Sequence, residues 1–233
     1  MNKDVLKMSK LQTKGLYKNY FEGGLTTEVL KDINLDIDEG EFVLITGPSG
    51  SGKTTLMNCI SGLESVTAGE VLLDGLDFSK FSKKQMAELR KNKIGFVFQA
   101  YNLLPNLTLF ENIQIASVIA GKNDTNRINE LLTKFNLAEF KKHFPNQVSG
   151  GMQQRTAIVR ALINDPQIIF ADEPTGNLDS KSTLEVMENF KFLHDEYKKT
   201  IIMVTHSLDN LKYATRHIQI IDGKVVLDEK INA

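Results

Sequence analysis

The chain has a single cysteine, Cys59, so no internal disulfide can staple its fold. The setting of that cysteine in Leu56-Met57-Asn58-Cys59-Ile60 reads as a small buried hydrophobe rather than a nucleophile. Neither sign of charge is in excess: 28 Lys+Arg against 29 Asp+Glu leave a formal charge of −1, which gives no bulk electrostatic reason to expect nucleic acid or an anionic membrane as partner. No apolar run approaches membrane-spanning length, and the polar start Met1-Asn2-Lys3-Asp4 lacks the apolar core of a signal peptide, so the cytoplasm is the expected compartment. Repeats, low-complexity tracts, heptad runs and flexible linkers are also missing. That leaves 233 residues, 41% of them hydrophobic, to bury one sizeable core.

Short apolar runs separated by turn and helix signals fill the chain. Ile33, Leu35 and Ile37 alternate with Asp32, Asn34, Asp36 and Asp38, the pattern of a half-solvated antiparallel strand, and Glu39-Gly40 turns it into a second run at Phe42. Gly69 to Leu73 reads as a strand closed by the turn pair Asp74-Gly75; Ser82 through Lys93 is charged and helix-like before the run Ile94 to Phe98. Thr108-Leu109-Phe110-Glu111 has capping-box spacing, with a helix stop expected at Gly121. The pattern stays mostly helical to Ile163 and ends at Asp165-Pro166. Gln167 to Ala171 and Thr200 to Thr205 then read as fully buried parallel strands flanking a helix expected over 182–198, and a last hairpin turns at Asp222-Gly223. Sheet-forming runs on both sides of the helical stretch predict one α/β domain, with a core of about 1–98 and 165–233 and a helical insertion of about 99–164.

Gly47-Pro48-Ser49-Gly50-Ser51-Gly52-Lys53-Thr54 fits the pattern G-x-x-x-x-G-K-[ST] directly after the buried run Glu41 to Thr46. Glycines in such a loop let the backbone curl so that its N–H groups face phosphates, Lys53 reaches the β- and γ-phosphates, and the Thr54 hydroxyl is placed for Mg²⁺; Thr55 follows within reach. A helix starting near Gly52 adds its N-terminal dipole to the anion site. ATP or GTP is the expected ligand, and the strand ahead of the loop speaks against an accidental glycine-rich turn.

Two carboxylates, Asp172 and Glu173, stand directly after the buried run Ile168 to Ala171, at the strand end where ligands gather in parallel sheets. Asp172 suits a Mg²⁺ water shell and Glu173 suits polarising an attacking water; a solvated helix cap is the plainer alternative, which the phosphate loop upstream disfavours. Ser149-Gly150-Gly151, within Val148 to Arg155, would start a helix whose first amides are not shielded by side chains, a second anion site distinct from the phosphate loop. The plain reading is a serine N-cap with flexible glycines. The functional one is that this helix end closes on the γ-phosphate of a nucleotide held by another subunit.

Val148 to Arg155 resembles the signature of the ATP-binding cassette (ABC) transporter ATPases, and the resemblance extends over essentially the whole chain. Within that family Gln99 matches the Q-loop, which touches the Mg²⁺ or water; Asn177-Leu178-Asp179 matches the D-loop along the dimer seam; and His206 matches the switch histidine that meets the γ-phosphate. Tyr20 sits where the family keeps an aromatic that stacks on adenine, with Phe21 and Tyr17 as alternatives. The other histidines, His143, His194 and His217, read as surface or packing residues. The one departure is Met152, where the family usually has glutamine.

The resemblance implies a P-loop NTPase of the ABC ATPase fold: a RecA-like parallel-sheet core, an antiparallel β subdomain and an inserted helical subdomain. It implies an ATPase that works as an ATP-sandwich homodimer and powers a separate integral-membrane permease, placing the chain peripherally on the inner face of the membrane. Ala100 to Leu104, Glu111-Asn112 and Ala171 to Asp179 look most like the ATPases of macrolide-export, lipoprotein-release and bacitracin-resistance transporters, which implies an antimicrobial, peptide or lipid-linked cargo. Leu103, Leu104, Pro105, Leu107 and Leu109 lie where such ATPases receive a short cytoplasmic helix of the permease, and the plainer reading is that most of these leucines pack the subdomain. A cell-division regulator or an iron-sulfur assembly scaffold would share the same cassette.

Overall fold

The computed structural model describes residues 10–231, so the polar start Met1 to Asp4 lies outside the described residues. In chain order, β1 (Leu11–Glu22) and β2 (Leu25–Ile37) lead to β3 (Phe42–Thr46), α1 (Lys53–Ile60), β4 (Ala68–Leu73) and the short β5 (Leu76–Asp77). Helix α2 (Lys83–Lys93) runs into β6 (Ile94–Phe98), after which α3 (Leu109–Ile119), α4 (Thr125–Lys134) and α5 (Gly150–Leu162) precede β7 (Ile168–Asp172). The chain closes with α6 (Ser180–Asp195), β8 (Thr200–Val204), β9 (Arg216–Ile221) and β10 (Lys224–Lys230).

Among the described residues the strands form two sheets. One is antiparallel, in the order β2-β1-β4-β5; the other runs β10-β9-β3-β8-β7-β6 and is parallel except for the edge strand β10. The continuous hydrophobicity of β3, β7 and β8 follows from their position: each is covered on both faces. Phe42, Leu44, Ile169, Ala171, Ile201 and Met203 enter the core shared with α3, α4, α5 and α6. Their neighbours Val43, Ile45, Ile168, Phe170, Ile202 and Val204 enter the opposite core, shared with α1 and the antiparallel sheet. On β2 the expected alternation holds, with Ile33, Leu35 and Ile37 buried between exposed polar residues.

Local signals fix several element ends. Thr108 Oγ1 accepts from Glu111 N while the Glu111 carboxylate accepts from Thr108 N, the reciprocal capping box expected there. Asp74 and Gly75 both take positive φ, 50° and 76°, as a tight hairpin turn requires. Helix α6 departs from expectation: it begins at Ser180 because Asp179 accepts from Ser182 N and caps it, and it ends at Asp195 rather than Lys198, whose φ is +51°. Cys59 is buried on α1, and burial pushes its thiol pKa up to about 12, so it is a packing residue.

Arg216 is a buried charge that ties several strands together. Its guanidinium bonds Asp228 through Nε at 2.7 Å and Nη2 at 2.8 Å, reaches Glu41 at 3.0 Å, and also donates to the Asp36 carbonyl, tying β9 to β10, β2 and the entrance of β3. Removing one partner of a fully buried pair costs 3–5 kcal/mol, and with Asp228 one-third exposed we expect Arg216→Met to lose about 2–3 kcal/mol of unfolding free energy in a urea titration. A loss below about 0.5 kcal/mol would show that solvent, not Arg216, satisfies these acids.

Candidate active site

Four neighbouring parallel strands deliver their C-terminal ends to one edge of the large sheet, and each is followed by a residue singled out from the sequence. The phosphate loop follows β3, Gln99 follows β6, Asp172 ends β7 with Glu173 next to it, and His206 follows β8. Ser49, Gly50, Gly52, Lys53, Thr54, Thr55, Gln99, Asp172, Glu173 and His206 line a single cavity of about 350 Å³ together with Val29. Val29, from β2, lies ahead of the alternating run read from the sequence and carried no signal there.

The loop owes its path to two glycines. At Gly47, φ +147°, an added Cβ would lie 2.1 Å from the Ile220 carbonyl oxygen, so the chain passes β9 at backbone contact distance. Gly52, φ +102°, is the N-cap of α1 and leaves the loop in a left-handed conformation, with Val29 O only 3.1 Å from where a side chain would begin. Lys53 folds back over the loop, donating to Gly47 O at 2.9 Å and Pro48 O at 2.8 Å. Pro48 O also accepts from Ser51 N, and Ser51 is buried. Burial lowers the Lys53 pKa, while Glu173 and Asp172 oppose the shift.

The two acids differ in what holds them. Thr54 Oγ1 lies 3.4 Å from Asp172 Oδ1, and burial raises the Asp172 pKa against the pull of Thr54, Lys53 and His206. Glu173 has a left-handed backbone, φ +45°, and its N–H is fixed to Val204 O at 2.9 Å. For a residue with a side chain that conformation is strained, and the strain turns the chain away from the sheet immediately after Asp172. The Glu173 carboxylate accepts from His206 N at 3.3 Å and stands 3.2 Å from His206 Nε2; burial raises its pKa too, with His206 as the main opposing charge.

Two further residues support this edge from behind, and sequence reasoning missed both. Buried Gln154, on α5, donates through Nε2 to Phe98 O at 3.3 Å and Pro174 O at 2.6 Å, joining the strand ends on which Gln99 and Glu173 stand. Arg160, one turn and a half later, donates to the carbonyls of Tyr101 and Asn102, both at positive φ, so the turn after Gln99 is held by α5. Gln154 lies inside the signature Val148 to Arg155, but no local pattern announces what either residue holds, because every partner is distant in sequence.

The remaining expected residues lie elsewhere. Ser149 caps α5, accepting from Met152 N at 3.3 Å, and with Gly150 and Gly151 it stays outside the cavity. Both glycines are also close-packed: a Cβ at Gly150 would meet Tyr101 Oη at 2.9 Å, and one at Gly151 would meet Ser182 Oγ at 3.0 Å, so in either case the neighbouring side chain would have to shift. Met152, the departure from the signature, packs against the core that α5 shares with α3 and α6. Tyr20, also outside the cavity, stands on β1 with its hydroxyl donating to Glu64 Oε2 at 2.5 Å and Lys18 Nζ 4.8 Å from its ring centre. Of the leucines read as a docking surface, Leu109 is wholly buried in the helical core, whereas Leu104 is 46% exposed. A helix's first apolar residue can face either way, and here it faces in.

A family model described as ABC transporter matches residues 30–176. An uncharacterised ABC transporter ATP-binding protein of Thermotoga maritima is 46% identical over 213 residues, 90% of this chain and 91% of the relative. The macrolide export ATP-binding/permease protein MacB of Campylobacter fetus is 44% identical over 96% of this chain, which spans only 35% of MacB's length. Among solved structures, the dimeric ATP-binding cassette MJ0796 in a post-hydrolysis state with ADP and Pi superposes with a TM-score of 0.87 at 41% identity, covering 96% of this chain and 99% of that one. MJ0796 is a protein of Methanocaldococcus jannaschii. Motif order, strand-end geometry and these relatives agree: the chain belongs to the ABC transporter family, as an ATP-binding subunit.

Proposed function

We propose that this chain hydrolyses ATP as a homodimer in which each reaction centre is shared, and that closing and opening of the dimer drives a membrane permease. One observation carries the reading: the cavity gathers Lys53, Thr54, Gln99, Asp172, Glu173 and His206, while Ser149, Gly150 and Gly151, at the N-terminal end of α5 where backbone amides suit an anion, are not among the residues that line it. A single copy therefore offers two half-sites, and a head-to-tail pair of copies completes both. The dimeric state of the MJ0796 cassette and its bound ADP and Pi support this arrangement.

In this reading the described parts of the expected 1–98 and 165–233, residues 10–98 and 165–231, form the nucleotide-binding core, and 99–164 the helical subdomain of one ABC ATP-binding domain. Lys53 exchanges its carbonyl partners for the β- and γ-phosphates, the loop amides and Thr55 cradle the α- and β-phosphates, and Tyr20 stacks on adenine. Thr54 and Asp172 supply one hydroxyl and one carboxylate, hard oxygen donors that fit a Mg²⁺ sharing its shell with phosphates and water. When bound, Mg²⁺ neutralises charge on the phosphates. Glu173 accepts the proton of the attacking water, His206 donates to the γ-phosphate, and Ser149, Gly150 and Gly151 of the second copy close over it.

No helix of the described residues is long and apolar enough to cross a membrane, so the permease is another polypeptide or another segment, with the loop around Leu104 as its seat. The macrolide export named for MacB supports export as the direction; the proposed cargo is an antimicrobial, peptide or lipid-linked substrate. The test is to purify the protein from detergent-solubilised membranes and assay MgATP hydrolysis with whatever accompanies it. Recovery of a polytopic membrane protein whose presence changes the ATPase rate is expected; recovery of a soluble assembly partner alone would overturn the transport reading while leaving the ATPase intact.

A further inference from the structure

The loop after β6 and the loop after β7 meet through a reciprocal amide pair. Gln99 Nε2 donates to Asn177 Oδ1 at 3.1 Å, and Asn177 Nδ2 donates to the Gln99 backbone carbonyl at 3.2 Å. A backbone carbonyl can only accept, so Asn177 must turn its NH₂ toward it and its oxygen toward Gln99. That oxygen in turn claims the Gln99 NH₂, which leaves Oε1 as the Gln99 atom free to face the cavity that Gln99 lines with Thr54 and Asp172. Both amides are exposed, so water competes for them; what limits the alternatives is Gly176. An added Cβ there would lie 2.7 Å from Gln99 Nε2, 3.1 Å from Cδ and 3.4 Å from Cγ, so the Gln99 side chain lies against the bare Cα of Gly176.

We propose that Asn177 is a positioning residue that fixes the Gln99 amide with its carbonyl oxygen toward the nucleotide-bound divalent cation. The inference rests on the reading of the cavity as a Mg·ATP site. Gly176 and Asn177 act together here: one provides the room, the other sets which end of the amide points in. The role is separate from the seam contact that the Asn177-Leu178-Asp179 resemblance implies, because both of its hydrogen bonds close within one polypeptide.

Mn²⁺ is the probe. Its affinity for the protein saturated with a non-cleavable ATP analogue is read by the electron paramagnetic resonance signal of free Mn²⁺. One net hydrogen bond contributes about 0.5–1.5 kcal/mol, so Asn177→Ala is expected to weaken Mn²⁺ binding roughly three- to tenfold. Gly176→Ala, which displaces only the flexible Gln99 side chain, is expected to do the same. Both should bind the analogue in EDTA as wild type does, and circular dichroism melts confirm that both are folded. In a Gln99→Ala background, Asn177→Ala should add nothing, since its partner is gone. Wild-type Mn²⁺ affinity in both single variants overturns the proposal, as does an Asn177→Ala effect that persists in full without Gln99. If Gln99→Ala itself binds Mn²⁺ normally, the cation contact assigned to Gln99 falls, and loss of analogue binding in EDTA by the wild type would instead strike the site reading as a whole.

Discussion

Glu173→Gln is expected to bind MgATP normally, to lose about two to four orders of magnitude in turnover, and to accumulate as an ATP-bound dimer on size-exclusion chromatography. The substitution is close to isosteric. Gln Oε1 can still accept from His206 N, the bond that holds the wild-type carboxylate, so the left-handed turn at residue 173 should survive. What disappears is the ability to take a proton from water. Burial raises the Glu173 pKa above the ordinary carboxylate value, and the same holds for Asp172. The protonated form of Glu173 is inert as an acceptor, so wild-type kcat/KM should climb with pH along a limb displaced upward from that of a free glutamate; this parameter reports the unliganded enzyme. Residual activity of the glutamine variant should lose the part of that limb that belongs to Glu173. A variant that hydrolysed ATP within tenfold of wild type would remove Glu173 from the role of base. One that stayed monomeric in saturating MgATP would sink the shared-site reading.

Much of this edge of the molecule could be read without coordinates, and the reason is geometric. Parallel strands sandwiched between two cores must be apolar at every position, so β3, β7 and β8 stand out as unbroken runs, and the chemistry follows each run within one or two residues. Gly47 to Thr54 carry their own motif after one such run, Asp172-Glu173 stand at the end of another, and His206, matched through the family resemblance, closes a third. β1 had no such run. Its alternation is broken by Gly15 at φ +51° and by register shifts at Thr13/Leu16, Leu16/Lys18 and Lys18/Asn19, and Lys14, Lys18 and Asn19 dilute what remains. Gln154 and Arg160 escaped for a different reason. On α5 they look like ordinary polar helix residues, and only the carbonyls of Phe98, Tyr101, Asn102 and Pro174 give them work. Asp179, which the resemblance sets along the dimer seam, also caps α6 through Ser182 N, so the helix begins at Ser180 rather than about 182. Leu109 admitted both docking and packing, because sequence spacing fixes that a helix begins after the Thr108 cap but not which way its first residue faces.

The division of labour between two copies admits a direct biochemical test. Lys53→Ala removes the cation from the phosphate loop but leaves Ser149 intact; Ser149→Arg obstructs the N-terminal end of α5 but leaves the phosphate loop intact. Each is expected to be inactive alone. Ser149 is the better target than its neighbours, because any side chain at Gly150 or Gly151 strikes Tyr101 or Ser182 and would confuse packing with function. Ser149 is exposed, so arginine finds room, and the lost cap costs about 1 kcal/mol, well short of unfolding a domain of this size. In an equimolar mixture half of the dimers pair the two variants. A two-fold dimer then holds one centre with both defects and one with neither, so activity should return to about a quarter of wild type if the two centres act independently. The recovery should grow with total protein concentration, as pairing does, and should vanish when a single chain carries both substitutions. A centre contained in one polypeptide forbids any recovery: every chain in the mixture would carry its own defect, and dilution would change nothing.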